Sequence, residues 1–259
     1  MQNSPVNQVV LQPFSNFVLL PGLMCDQTFW APLALGLSAA ESGLACQVVD
    51  YGDADTLTAM AEAVLAVAPP RFTLAGHSMG GRVALEVVRL ASPRVQSLIL
   101  MDTGYLPLAQ GQAGEVEKAG RVALVRLAEQ EGVRAMAAQW VRGMVHPDRL
   151  GDNELIESIL AMFARKSAQR FARQQNALLT RADLSPALAG LTVPTLLLTG
   201  RQDAWASVAQ HAAMQDLAPH AVLKVIEDAG HMVLMEQPEA CVRAIKAFLK
   251  EVQELSCSN

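Results

Sequence analysis

Hydrophobic positions along this chain fall into short, nearly unbroken runs, separated by longer stretches in which they recur every three to four residues. The runs are Phe17–Leu20, Gln47–Tyr51, Phe72–Ala75, Ser97–Met101, Thr195–Thr199 and Val222–Ile226. Continuous apolar runs of this length, rather than alternating ones, predict strands covered on both faces. Val9–Leu11 reads as a short edge strand before them. The helical stretches are Thr28–Ser42, Thr56–Val67, Met79–Ala91, Val208–Leu217 and Pro238–Val252. In the last, Val242, Ile245, Leu249 and Val252 share one face, and Pro238 suits a first helical turn. Strand–helix alternation of this kind predicts an α/β fold, a mostly parallel, doubly wound sheet with helices on both sides.

Between residues 111 and 191 the alternation stops. Glu117–Gln130, Val133–Val145, Asn153–Phe163 and Ala168–Leu179 read as helices, and no strand separates them. The expected organisation is therefore a core of residues 1–110 and 192–259 with a helical insertion at 111–191.

Composition narrows the class. Half of the 259 residues are hydrophobic (51%), enough for a large core, but no window approaches the ~18–20 consecutive apolar residues of a membrane span. Met1-Gln2-Asn3-Ser4-Pro5 lacks the basic and apolar regions of a secretory signal. Cys25, Cys46, Cys241 and Cys257 show no C-x-x-C spacing. The expectation is a reduced, cytoplasmic protein. A net charge of −5 argues against nucleic acid as a partner. The charge is uneven, with eleven Lys/Arg against eight Asp/Glu in residues 113–181. Solvated helix faces are the expected reading of that surplus. A weaker expectation has one of these arginines reaching a cleft to pair with a substrate carboxylate.

The chemistry is concentrated in Gly76-His77-Ser78-Met79-Gly80-Gly81, which follows one apolar run and opens a helical stretch. A serine hydroxyl is a weak nucleophile at its free pKa and needs a neighbouring base. A sharp strand-to-helix turn exposes it and frees the next amide to bind an oxyanion, and glycines fit so tight a turn. The pattern predicts an acid and then a histidine downstream. Asp203 follows the run Thr195–Thr199, and His231 follows Val222–Ile226. Both lie just past the carboxyl ends of strands, where open α/β sheets bind ligands. Asp102 also ends a strand and is the competing acid. His146, His211 and His220 show no metal-ligand spacing, and neither a metal nor an organic cofactor is expected.

Over nearly its whole length the chain resembles an α/β-hydrolase. It is similar to the compact bacterial carboxylesterases, enol-lactone hydrolases and cofactor-free perhydrolases, on Gly76-His77-Ser78-Met79-Gly80-Gly81 and on Gly230-His231 followed by Glu236-Gln237-Pro238-Glu239. The resemblance implies Ser78 as nucleophile, Asp203 as orienting acid and His231 as general base. It makes residues 111–191 a cap, and the main-chain N–H of Leu23 an oxyanion donor beside that of Met79. In the Pro21-Gly22-Leu23-Met24-Cys25-Asp26 loop, Pro21 replaces the histidine commoner in the family, so how the loop is buttressed becomes a question. Asp203 fits the family's acid position better than Asp102. The pleat is expected to turn His77 away from the site, and Cys25 to be a pocket-wall residue. Met24, Trp140, Trp205 and Met232 are the expected pocket lining.

The implied activity is hydrolysis of a carboxylic ester, thioester or lactone of small to medium apolar character through an acyl-serine. A small molecule is the expected partner. Perhydrolase or haloperoxidase-like chemistry, carbon–carbon bond hydrolysis, or a non-catalytic binding role on the same fold are the alternatives. Dehalogenase or epoxide hydrolase chemistry is disfavoured, because those relatives carry aspartate where this chain has Ser78.

Overall fold

The structure, a computed structural model, describes residues 16–38 and 45–257. The edge strand expected at Val9–Leu11 lies outside them, as does the expected end of the first helix beyond Ser38. Among the described residues six strands form one sheet: β1 (Asn16–Leu20), β2 (Ala45–Val48), β3 (Phe72–His77), β4 (Val95–Met101), β5 (Thr195–Gly200) and β6 (Val222–Ile226). They pair in the order β2-β1-β3-β4-β5-β6, and every pairing is parallel. The helices are α1 (Gln27–Ser38), α2 (Leu57–Val67), α3 (Met79–Ala91), α4 (Gln112–Glu131), α5 (Val133–Trp140), α6 (Asn153–Ala164), α7 (Ala168–Leu179), α8 (Ser185–Ala189), α9 (Val208–Leu217), α10 (Val233–Glu236) and α11 (Pro238–Cys257).

Burial explains why the strands were legible as apolar runs. Every residue of β3 and β5 is buried, because helices cover both faces of a parallel sheet. The edge strand β2 alternates exposed and half-buried positions instead. It starts two residues before the apolar run and stops at Val48, since the buried Val49 and Tyr51 belong to the following loop. Side-chain caps open several helices. Thr56, Asp152, Ser167 and Ser207 each accept a main-chain N–H two or three residues into the helix they precede. Such a cap stabilises a helix by about 1 kcal/mol.

Helices α4–α8 lie between β4 and β5 with no strand among them. α5 ends at Trp140 rather than running on through Val145. A 3₁₀ turn at Val141–Gly143 follows, and the Met144 carbonyl beyond it accepts the His231 N–H at 2.6 Å. The basic surplus of this region is not simply solvated. Arg165 and Lys166 reach Asp26 at 2.8 and 3.7 Å, Arg170 reaches Asp50 at 2.5 Å, and Arg173 reaches Asp53 at 3.6 Å.

Strand order reverses between β1 and β3, which sends successive connections to opposite sides of the sheet. Ligands of open α/β sheets bind outside the strand ends at such a point. The loop after β1 and the turn after β3 meet there.

Candidate active site

Ser78 sits at the junction of β3 and α3 with φ 53° and ψ −116°. A non-glycine residue in this region carries about 1–3 kcal/mol of strain, so its surroundings must hold it. Its N–H donates to the Met101 carbonyl at 2.9 Å. Its carbonyl accepts from the Thr103 hydroxyl at 2.6 Å and from the Gly81 N–H at 3.0 Å. A Cβ at Gly76 would overlap the Gly80 backbone, and one at Gly80 would overlap the Leu20 carbonyl oxygen. The two flanking glycines are thus a steric requirement of the turn.

Three side chains separated in sequence meet here. His231 Nε2 lies 2.8 Å from Ser78 Oγ, and His231 Nδ1 lies 2.8 Å from Asp203 Oδ2. A carboxylate can only accept, so Nδ1 carries the proton and Nε2 is left to accept from the serine hydroxyl. Asp203 Oδ1 also accepts the N–H groups of Trp205 and Ala206, at 2.8 and 3.0 Å. Burial pushes the Asp203 carboxyl up, but His231 and these two amides outweigh it and hold the pKa down at about 2. Asp102, the competing acid, is fully buried and makes no hydrogen bond to His231; its Oδ1 accepts the Gly200 N–H at 2.9 Å. Burial, and then the Asp203 charge, push the Asp102 carboxyl well above the usual carboxylate range.

Two further residues fix the His231 loop, and the sequence reading gave neither of them this role. Glu236 Oε1 accepts the N–H groups of Gly230 and Met232 at 2.9 and 3.1 Å, on either side of the histidine. Its Oε2 accepts the His146 N–H at 2.7 Å, tying the loop to the helical insertion. The second is His77, which does not turn away from the site as the pleat suggested. Its ring is stacked 4.0 Å from Phe29 and lies 5.2 Å from the His231 ring. His77 Nε2–H donates to the His231 carbonyl at 2.8 Å. Burial, reinforced by the neighbouring His231, lowers the His77 pKa to about 3, so the ring is neutral. Its 3.9 Å approach to Asp102 is therefore not an ion pair.

Among the described residues, the main-chain N–H groups of Leu23 and Met79 have no acceptor, and both residues line the cavity above Ser78. The buttress in doubt at Pro21 comes from elsewhere. Tyr51 donates its hydroxyl to the Pro21 carbonyl at 3.0 Å, and buried Gln174 of α7 accepts the Met24 N–H at 2.9 Å. Lys166 Nζ donates to the Met24 and Cys25 carbonyls at 3.1 and 2.9 Å. Met24 itself, expected in the pocket, is fully buried in the core and does not line the cavity; the main chain turns there with φ 62°. Cys25 does line it, with burial raising its thiol to about 12, far from a thiolate.

The cavity is about 670 Å³ in volume. Trp140, Trp205 and Met232 line it, and the two indoles stack at 5.4 Å with Trp205 4.9 Å from the His231 ring. Arg82, Glu117, Arg121, Gln175 and Arg181 form a polar stretch of its wall. Among the described residues no group of three or more His, Cys, Asp or Glu is gathered as metal ligands, and no helix is long and apolar enough to cross a membrane.

The sequence profile of the alpha/beta hydrolase family matches residues 17–244. The chain belongs to this family. Similar to this hydrolase are 3-oxoadipate enol-lactonase 2 of Acinetobacter baylyi, 29% identical over 70% of the chain, and the pimeloyl-[acyl-carrier protein] methyl ester esterase of Photobacterium profundum, 25% identical over 91%. The chain spans 64% of the lactonase's own length and 95% of the esterase's. Among solved structures, a thermophilic esterase from Thermogutta terrifontis is similar with a TM-score of 0.79 and 27% identity, covering 92% of this hydrolase and 90% of that chain.

Proposed function

We propose that this hydrolase cleaves a carboxylic ester or lactone through an acyl-serine intermediate. The observation that carries the proposal is the continuous hydrogen-bonded chain Ser78–His231–Asp203, with both links at 2.8 Å. His231 Nε2 takes the hydroxyl proton as Ser78 Oγ bonds to the substrate carbonyl carbon. Asp203, ionised at any working pH, holds the ring in the required tautomer and stabilises the imidazolium. The N–H groups of Leu23 and Met79 receive the developing oxyanion, and loss of one such donor typically costs ~2.7–4 kcal/mol of transition-state stabilisation. Collapse of the intermediate breaks the bond to the leaving oxygen, which takes the proton from Nε2. Water, deprotonated by the same ring, then attacks the acyl-serine and regenerates Ser78.

The helices of residues 111–191 act in this reading as a cap over the site. They supply Trp140, Met144 and Phe163 to the cavity wall, and with Leu23 and Met232 they suit an apolar substrate body. The named activities of the lactonase and the two esterases agree in bond type with this reading. A fluorophosphonate probe is expected to label the wild type at Ser78. Ser78→Ala should lose both the label and ester hydrolysis, the latter by ~10⁶-fold. Retained turnover of short acyl esters by Ser78→Ala would overturn the mechanism.

A further inference from the structure

We propose that the cavity above Ser78 contains a carboxylate-binding subsite built by Arg82, Arg121 and Arg181, so that the preferred ester or lactone carries a free acid away from its scissile carbonyl. The inference rests on the serine-hydrolase reading only for the bond that is cut.

Three guanidiniums share one wall of the cavity, and among the described residues the one carboxylate they contact is Glu117. Arg181 forks onto it through both terminal nitrogens, at 2.8 and 2.9 Å, and Arg121 Nε adds a third bond at 2.8 Å. Arg82, on the helix that follows Ser78, has no carboxylate partner among the described residues. Its NH1 donates to the Leu106 carbonyl at 2.8 Å, which also accepts from Arg181 Nε at 3.2 Å. The other cavity-lining acid, Asp102, pairs with none of the three; its Oδ1 accepts the Gly200 N–H, and burial, then Asp203, push its carboxyl up. Among the described residues, three guanidiniums on this wall therefore share a single carboxylate partner.

Partly buried charges in a low-dielectric cleft are stable only when paired. Burial, followed by the like charges of Arg181 and Arg121, already brings the Arg82 pKa down to about 9. A second, independent sign lies at Gln175, which is only 2% exposed. Its Oε1 accepts from Arg121 at 2.7 Å, which orients the amide, while its Nε2 is buried without an acceptor among the described residues. An unsatisfied buried donor beside surplus guanidiniums, lining a cavity, calls for an acceptor that carries negative charge. Guanidinium forks match carboxylates in shape, and the Arg181–Glu117 pair shows that a carboxylate fits this corner. The rest of the wall is largely apolar. The substrate class is thus an acyl chain or ring with the reacting carbonyl at one end and an acid at the other.

The test compares the monomethyl and dimethyl esters of one six-carbon dicarboxylic acid, which share a scissile bond and differ in the free acid. The half-ester is expected to have the higher kcat/KM by about 10-fold or more. Arg82→Gln should pull the half-ester to diester ratio toward one, whereas Glu117→Gln, by freeing two guanidiniums, should raise it. A merely structural disturbance would lower both rates together. A binding arm uses Ser78→Ala, in which the half-ester but not the diester should raise the thermal midpoint, and Arg82→Gln in that background should abolish the shift. Equal rates for the two esters with no selective thermal shift would overturn the subsite and leave the hydrolase reading intact. Selective thermal stabilisation without turnover of either ester by the wild type would support the subsite and remove the hydrolytic reading.

Discussion

Two carboxyl groups end neighbouring strands of this site, and their surroundings shift them in opposite directions. Asp203 has a histidine N–H and two main-chain amides aimed at it and stays ionised. Asp102 has a buried Oδ2 with no partner among the described residues and is pushed toward its neutral form. In the proposed mechanism this assigns the orienting role to Asp203 alone. Asp203→Asn is expected to lower kcat by about 10⁴-fold, because the amide favours the wrong imidazole tautomer. Asp102→Asn should stay within a few-fold of wild type, since an amide carbonyl can keep the Gly200 N–H satisfied. Steady-state kinetics on one ester decides it, and the reverse ranking would transfer the role to Asp102. Ser78, Asp203 and His231 stand out in the sequence because each is announced by its own strand end and turn, and the fold brings the three within hydrogen-bond distance. The roles of Glu236 and His77 do not stand out. Glu236 enters the sequence reading only as part of the motif that opens the last helix, and His77 meets the His231 carbonyl across 154 positions of sequence.

At the scale of elements, the sheet was legible because parallel strands buried on both faces must be written in continuous apolar residues. The errors fell where that logic weakens. β2 sits at the edge, so its exposed and half-buried residues overlap the apolar run at Gln47–Tyr51 only in part, and α5 gives way to a 3₁₀ turn leading to Met144, whose carbonyl meets the His231 loop. Contacts between elements were invisible too. Nothing in Pro21–Asp26 announces that α7 will supply Gln174 to accept the Met24 N–H, or that Lys166 will hold two of the loop's carbonyls. The surface pairs alongside, Arg170–Asp50 and Arg173–Asp53, are exposed on at least one side and each contributes about 0–1 kcal/mol. The buried Gln174 bond is a different matter, because it sets the position of the amide next to Leu23. Gln174→Leu is expected to lower kcat by between about 10-fold and the 10²–10³-fold seen when an oxyanion donor is removed outright. KM should change far less, since the loop's amide acts on the transition state. A change confined to KM would show that the bond shapes the pocket and leaves the oxyanion geometry alone.

The whole molecule has a linkage between its stability and pH that passes through His77. Unfolded, a histidine titrates near 6.5; folded, this one is held at about 3 by burial and by His231. Between those values the unfolded chain binds a proton that the folded chain refuses, so the contribution of neutral His77 is complete above about pH 6.5. It falls as acidity rises, and is lost through pH 3. Asp203, depressed to about 2, acts in the same direction but only below the unfolded carboxylate range. Asp102 and Glu236, both raised by burial, pull the other way as pH falls. The net slope therefore mixes opposing groups, and the informative quantity is the difference between wild type and His77→Gln. A glutamine amide can donate to the His231 carbonyl but takes up no proton in the unfolded state. Whatever stability the substitution costs at pH 7.5, that gap should shrink by about 2 kcal/mol at pH 5, where the unfolded histidine lies 1.5 units below its pKa. Urea denaturation of both proteins at the two pH values measures it. A gap that stays constant would mean that His77 takes up its proton folded as readily as unfolded, and a gap that widens at pH 5 would mean that its ring is held protonated against an ionised Asp102, reversing the charge assignment beneath His231.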